Sequence, residues 1–559
     1  AGCMFPVEDI YEAPSEIGAD IQQVVVKKAF DIHRSHPLAA GDILAFLPDP
    51  PSVESAREQL DNLLQRRGES DYTVFCLHGG QEPDEQQKVF QRCPGLRKII
   101  FSTSVAETSV TIDGVCFVVD SGVEKKVIYD AKRNLSSLEV VTISRSSAVQ
   151  RRGRSGRTAP GVCYRMYSAD DFDAMQATQA AEVLSQPAHL TLLTLLSMNL
   201  DPDTFHWLEK PSEHALRSSW ATLLFLCAVE KQDGHWALTE FGKLAAGLQI
   251  DPCLAKVLHE GCRQGLIRQA ADVVAVMSGC SNFSRKAVDD AARKQLHDAQ
   301  QAELSTEGDV VTMYRFYRKW IVMKTANLDG LDQQHGCQAA SAFARETWLR
   351  GRELERARTT SVDFVKQLGK LGFEPAQDGR AAEDELSESQ LLDLILAGCF
   401  LSLGLLSGGR GPSCRDATYQ MVGSSMGQED AVTAGAVFPG SVLARQDGSA
   451  PKFLCFTSMM QTSKLFLFGV TVLRCENAEA LAAKIKQFSP SFAQHLGEVL
   501  PTMVMDKVEC DGFTVAALTG NRARQNRLDL QDRFACTVFY DHRRGAVCCV
   551  CRPQHALAL

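Results

Sequence analysis

"RKIIFSTSVAETSVTIDGVCFVVDSG", residues Arg97 to Gly122, consists of two apolar runs separated by a loop of small polar residues. "RKIIFST" and "GVCFVVDSG" lack polar alternation, which is the pattern of strands buried on both faces. The flanking segments alternate in type. "QVVVKKAFDIHRSH" reads as helix, "GDILAFLP" as a buried strand, "SVESAREQLDNLLQRR" as an amphipathic helix, "YTVFCLHG" as strand and "DEQQKVFQRC" as helix. After Gly122 comes an extended pair within "KKVIYDAKRNLSSLEVVTIS", and "GVCYRMYS" closes the pattern near residue 168. Strand–helix alternation with continuous apolar strands predicts a parallel α/β sheet over residues 1–168.

Beyond it the class changes. Residues from about 169 to 375 are helical in pattern, with a small β-hairpin and following helix in "EKQDGHWALTEFGKLA". The polar stretch "EPAQDGRAAEDELSES" reads as a linker, and residues 391–473 turn β-rich with Gly/Ser-rich turns, suggesting a small barrel. A chain of 559 residues is too long for one core, so several domains are expected. The 19 cysteines lie singly in apolar segments, the usage of reduced core cysteine, so an intracellular protein is expected. No apolar run reaches the ~18 residues of a membrane span. The opening "AGCMFPVEDIY" has neither an initiator Met nor a signal layout, and the chain is expected to be a piece of a longer polypeptide.

Within a net charge of −9, "AVQRRGRSGRTAPGVCYRMYS" concentrates Arg151, Arg152, Arg154 and Arg157. Arg151, Arg154 and Arg157 are three apart, which on one helix makes a single stripe. Gly153 and Gly156 would let a bulky partner approach the backbone, and guanidinium forks in a row suit a polyphosphate. Taken alone, the same run also suits a solvated basic face or a disordered segment that coats RNA.

"RKIIFSTSVAETSVTIDGVCFVVDSG" and "QRRGRSGR" together resemble motifs V and VI of the DEAH-box (DEAH/RHA, superfamily 2) RNA helicases. "GDILAFLPDP" resembles motif IV and "FCLHGGQEPDEQQKVF" the segment after it, in the same order and spacing. Downstream, "WALTEFGKLAAGLQIDPCLAKVL" resembles the family's winged-helix to ratchet junction, while "LLDLILAGCFLSLGLL", "FPGSVL" and "FLCFTSMMQTSKLFLFGVTVL" resemble its OB-fold. The resemblance implies a multi-domain α/β plus α plus β chain. Its parts would be a second RecA-like domain (1–168), a winged helix (169–243), a ratchet-like helical domain (244–373), a linker (374–390), an OB-fold (391–475) and a mixed α/β tail (476–559), for which a KH- or RRM-like module is the expectation.

The resemblance also implies roles. Gln150, Arg154 and Arg157 would face the γ-phosphate and attacking water, the two arginines as fingers. Thr111 and Asp113 would hold the ribose, and Phe90 would stack on the base without reading its edge, so that any nucleoside triphosphate serves. The cofactor would be ATP or another NTP with Mg2+. Thr103 and Ser104 would hold RNA backbone phosphates on the opposite edge of the sheet, a grip independent of sequence. The pair within 123–142 would wedge at a duplex junction. Each residue has a bland alternative: Phe90 as core, Asp113 as a turn cap, Thr111 as strand filler.

Some positions depart from the family. Ser104 stands at a usual Asn, "FLPDPP" replaces a Gly-containing turn, and Ser185 stands at a common Arg. "VFPGS" replaces a His-Pro-Ser-Ser pattern, and Phe468 stands at a usual Arg. No GxxxxGK[ST] loop and no DEAH-like carboxylate motif occurs. Magnesium and phosphate binding are therefore expected from a first RecA-like domain preceding Ala1, and this chain alone should be inactive. His542, Cys548, Cys551 and His555 were weighed as zinc ligands, but alternation in "AVCCVC" opposes a tetrahedral set, and no metal site is assigned. The expected partners are single-stranded RNA, that first domain and an activating protein, with no membrane. The competing classes are a non-enzymatic RNA-binding scaffold and the helicase body of a multi-domain ubiquitin ligase.

Overall fold

In the computed structural model the described residues are 5–14, 20–81, 83–107, 112–130, 135–279, 283–284, 290–325, 333–373, 386–407, 413–415, 417–422, 434–446, 449–461, 464–499 and the strands 506–509, 537–541 and 546–551. The chain divides into two compact units, one of residues 1–128 and 138–182, the other of 129–137 and 183–559.

The first unit runs β1 (Val7–Tyr11), α1 (Ile21–Ser35), β2 (Asp42–Phe46), α2 (Pro50–Arg66), β3 (Tyr72–Leu77), α3 (Pro83–Lys88), β4 (Arg97–Ser102), β5 (Val115–Asp120), β6 (Val123–Asp130), β7 (Leu135–Thr142), α4 (Arg145–Arg152), β8 (Gly161–Arg165) and α5 (Ala169–Ala174). Six strands form one sheet in the order β1-β8-β5-β2-β4-β3. Every pairing in it is parallel. β4 and β5, the two runs of the opening stretch, are buried at every position. One face packs α1 and α2 through Val25, Ala29, Ile32, Val53, Ala56 and Leu60. Asp20 and Asp49 cap these helices by accepting from Gln22 N and Ser52 N. The edge strand β1 was not anticipated: "VEDIY" is short and acidic, and it becomes a strand by pairing with β8, 150 residues on. The extended pair is present as β6 and β7, which are hydrogen-bonded neighbours. The helix anticipated over "DEQQKVFQRC" is shorter, ending at Lys88.

The second unit begins with α6 (His189–Ser197), α7 (Glu213–Phe225), β9 (Val229–Gln232), β10 (His235–Leu238) and α8 (Glu240–Leu248). β9 and β10 form the anticipated hairpin, on which Trp220 and Trp236 stack at 4.3 Å. Then come α9 (Pro252–Gln264), α10 (Ile267–Gly279), α11 (Asp290–Gln300), α12 (Asp309–Thr325), α13 (Gln333–Glu346), α14 (Gly351–Lys370) and α15 (Glu388–Cys399). These helices share a core that includes Val257, Val274, Phe316, Tyr317 and Leu394.

A largely antiparallel sheet follows: β11 (Leu403–Leu406), β12 (Thr418–Val422), β13 (Ala434–Val437), α16 (Val442–Arg445), β14 (Phe453–Cys455), β15 (Ser458–Gln461), β16 (Leu465–Phe468) and β17 (Thr471–Val472). Its strands run in the order β17-β14-β11-β12-β13-β16-β15. Asp309, at the start of α12, ties the helices to this sheet by accepting from Ser441 Oγ, Val442 N and Val470 N at 2.8, 2.7 and 3.1 Å. The tail holds α17 (Ala478–Lys486), α18 (Pro490–Val499) and the strands β18 (Asp506–Glu509), β19 (Thr537–Asp541) and β20 (Ala546–Cys551). These strands form an antiparallel sheet in the order β18-β20-β19. His542 and His555 lie outside the described residues.

Candidate functional site

α4 starts at Ser144, whose Oγ accepts from Ser147 N, and ends at Arg152. Beyond it the backbone bonds shorten to i→i−3, Arg154 N to Arg151 O and Ser155 N to Arg152 O, so the helix tightens and stops. The anticipated stripe is therefore not formed. Only Arg151 lies on α4, whereas Arg154 and Arg157 lie in the turn that follows. The physical reason is the pair of glycines. Gly153 ends the helix, and Gly156 takes a φ of +75°. Gly156 admits no outside partner, because a Cβ there would sit 2.5 Å from Val7 Cγ2 and 2.9 Å from the Phe5 carbonyl oxygen. The close neighbour is the chain's own β1, held by Phe5 N to Gly156 O at 2.8 Å.

Arg151 is no phosphate ligand. It is wholly buried, with Nε 3.1 Å from Glu107 Oε2, Nη1 3.0 Å from Asp120 Oδ1, and the guanidinium 4.9 Å from the centre of the Phe46 ring. Burial works against its charge, but Asp120 and Glu107 outweigh it and raise its pKa. Asp120 also meets Arg165 Nη1 at 3.5 Å and accepts from Tyr167 Oη at 2.8 Å. Arg165 and Arg152 both reach Asp9 of β1, at 3.0 and 2.7 Å. This network fastens α4, and with it the turn of Arg154 and Arg157, to β1, β5 and β8.

Arg154 and Arg157 are half-buried and close enough to oppose each other's charge. Burial lowers the Arg154 pKa, Arg157 lowers it further, and Glu107 partly offsets both. Arg157 Nε donates to Gly153 O at 3.4 Å. Gln150 is exposed on the last turn of α4. The arrangement holds two guanidiniums near one another on a short braced loop, which favours a multiply charged anion.

The backbones of Val89 and Asp113 are joined by a residue that the sequence did not single out. Lys98, buried at the start of β4, donates to Val89 O at 3.3 Å and to Asp113 O at 3.5 Å. Val89 takes the core position and Phe90 stands 42% exposed, so the expectation of a core aromatic fails by one residue. Asp113 is exposed, and Thr111 lies outside the described residues. Thr103 and Ser104 follow the other end of β4, a strand that rises ~3.3 Å per residue, and so lie at the opposite end of that strand from Lys98. Thr103 is buried, with its N–H on Leu77 O, while Ser104 is exposed at the start of a short 3-10 turn.

The family described as helicase conserved C-terminal domain matches residues 41–159, a span that holds Phe90, Asp113, Gln150, Arg154 and Arg157. The chain is homologous to DEAH-box RNA helicases: it is 34% identical over 334 residues to the ATP-dependent RNA helicase DEAH12, chloroplastic, of Arabidopsis thaliana, covering 57% of this chain and 18% of that protein. It is 35% identical over 299 residues to the probable ATP-dependent RNA helicase DHX34 of Homo sapiens, covering 52% of this chain and 25% of that one. The chain thus matches a quarter or less of these relatives' length. The fold is that of the E. coli DExH-box NTPase HrpB, with a TM-score of 0.59 at 19% identity over 98% of this chain and 50% of HrpB.

In the first unit the carboxylates around α4 are already engaged: Glu107 and Asp120 by Arg151, Asp9 by Arg152 and Arg165. They do not fit a magnesium ion, and no step is drawn through one. Asp120, Glu107 and Lys98 are missed from the sequence, and Arg151, read there as part of a phosphate-facing stripe, is a buried anchor instead. An acid ending a wholly apolar strand, as Asp120 ends "VCFVVD", was the available signal. Among the described residues no helix is long and apolar enough to cross a membrane.

Proposed function

We propose that this chain is the C-terminal part of an ATP-dependent RNA helicase that couples NTP hydrolysis to translocation on RNA and to remodelling of duplexes or RNA–protein particles. The observation that carries this is the close, loop-borne pair Arg154 and Arg157, held by the buried Arg151–Asp120 anchor. As the terminal phosphoryl departs, the two guanidiniums neutralise the charge that develops on its oxygens, while Gln150 orients the attacking water. Phe90 stacks on the base, and Thr111 and Asp113 hold the ribose. The nucleotide arrives on a first RecA-like domain of the parent chain, which also holds Mg2+, so this chain alone does not turn over ATP.

Thr103 and Ser104 grip the RNA backbone at the far edge. Residues 169–243 serve as a winged helix, 244–373 as a ratchet-like domain and 391–475 as an OB-fold of an intracellular motor. A protein activator is compatible with this layout. The test is RNA-stimulated ATPase of the full-length parent with Arg157→Ala: a loss of roughly a thousandfold supports a motor. Unchanged turnover defeats it in favour of a scaffold that keeps the helicase shape.

A further inference from the structure

Two departures from the family pattern, Phe438 and Phe468, meet in the folded protein. Their rings lie 4.6 Å apart, centroid to centroid, inclined by 30°. Phe466 joins edge-on to Phe438 at 5.9 Å. The register explains why. β13 pairs in parallel with β16, Ala436 beside Phe466, so the next outward position, Phe438, falls beside Phe468. Along β16, Leu465 and Leu467 turn inward to the core while Phe466 and Phe468 turn out. Lys464 continues that outward row, and on β15 Met460 and Ser458 stand opposite Phe466 and Phe468.

The ring of Phe438 is 39% exposed and is accommodated by a glycine, since a Cβ on Gly440 would lie 2.5 Å from Phe438 Cε1. Phe438 and Gly440 therefore belong together: the ring can lie across the turn only because residue 440 has no side chain. The same turn holds a cation, with Arg445 Nε donating to Gly440 O at 3.0 Å.

We propose that Phe438 and Phe468, flanked by Phe466, form a stacking platform for the bases of single-stranded RNA on the outward face of β13 and β16. This rests on the RNA-helicase reading above. Outward aromatic rings in a row that continues to Lys464 suit stacked bases joined by phosphates. Any base offers a π-face, so the grip is tolerant of sequence. It adds base stacking to the backbone grip assigned to Thr103 and Ser104.

The experiment uses the whole chain and a fluorescent single-stranded oligouridine containing 5-iodouridine. Affinity is measured for wild type, the double variants Phe438→Leu/Phe468→Leu and Phe438→Tyr/Phe468→Trp, and Gly440→Ser, with equal thermal unfolding midpoints as the check on folding. The leucine pair should weaken binding roughly 5- to 100-fold and the Tyr/Trp pair should retain it, as stacking requires an aromatic face. Gly440→Ser should behave like the leucine pair, and photocrosslinks should map to Phe438, Phe466 or Phe468. Retained affinity in the leucine variant, or crosslinks confined elsewhere, overturns the platform while leaving RNA binding standing. Absence of RNA binding by the wild-type chain overturns both the platform and the RNA-binding reading beneath it.

Discussion

Arg151 of α4 and Asp120 at the end of β5 form a wholly buried ion pair, Nη1 to Oδ1 at 3.0 Å, which sets this anchoring arginine apart from the half-buried Arg154 and Arg157. Removing one partner leaves the other charged and dry, so Arg151→Ala should destabilise the first unit by about 3–5 kcal/mol. Arg154→Ala and Arg157→Ala, at half-buried loop positions, should cost under about 1 kcal/mol. Denaturant midpoints of the three variants check this ordering.

Gly156 couples the arginine turn to β1. Gly156→Ala would adopt a strained φ of +75° and meet Val7 Cγ2 at 2.5 Å. The variant should lose at least about 1 kcal/mol of stability. If the turn positions the fingers, ATPase of the parent should fall further than in a control variant of matched stability.

Phe90 projects into solvent while Val89 fills the core. Phe90→Ala should leave the unfolding midpoint within ~0.5 kcal/mol of wild type, as for other surface changes. In the parent enzyme it should raise KM for ATP and for GTP alike, by roughly 5- to 100-fold if stacking is its role. A KM change for one nucleotide only would show edge recognition instead.

Acid should weaken the first unit through His33. Burial lowers its pKa, Arg97 lowers it further, and Asp71 and Glu69 pull the other way. The unfolded chain therefore binds the proton first as pH falls. His33 contributes stability in full above the unfolded value of about 6.5 and loses it as pH falls from there toward the folded pKa. Denaturant midpoints from pH 7.5 to 5.5 should fall, and less steeply in His33→Asn.

How much was legible follows from how far each partner lies along the chain. β4 and β5 announce themselves because burial on both faces leaves uninterrupted apolar runs. The end of α4 was hidden, since the three-residue spacing of the arginines describes a stripe only while the helix lasts, and Gly153 ends it. The role of Arg151 was equally hidden, because Glu107 and Asp120 stand 44 and 31 residues away and no local pattern joins them. Phe90 was assigned to nucleotide by resemblance and to core by amphipathicity. A one-residue shift, with Val89 inward, removes the core reading of Phe90. The aromatic cluster of Phe438, Phe466 and Phe468 needed the β13–β16 register, and a parallel pairing of strands about thirty residues apart has no short-range signature.

The central claim is that Arg154 and Arg157 serve the departing phosphoryl group and not the folded scaffold. Affinity of the full-length parent for ADP–aluminium fluoride against ADP alone tests it most directly. Arg154→Ala and Arg157→Ala should each lose roughly a hundredfold or more for the transition-state analogue while ADP binding is unchanged. Equal losses for both ligands, or none for either, would contradict it.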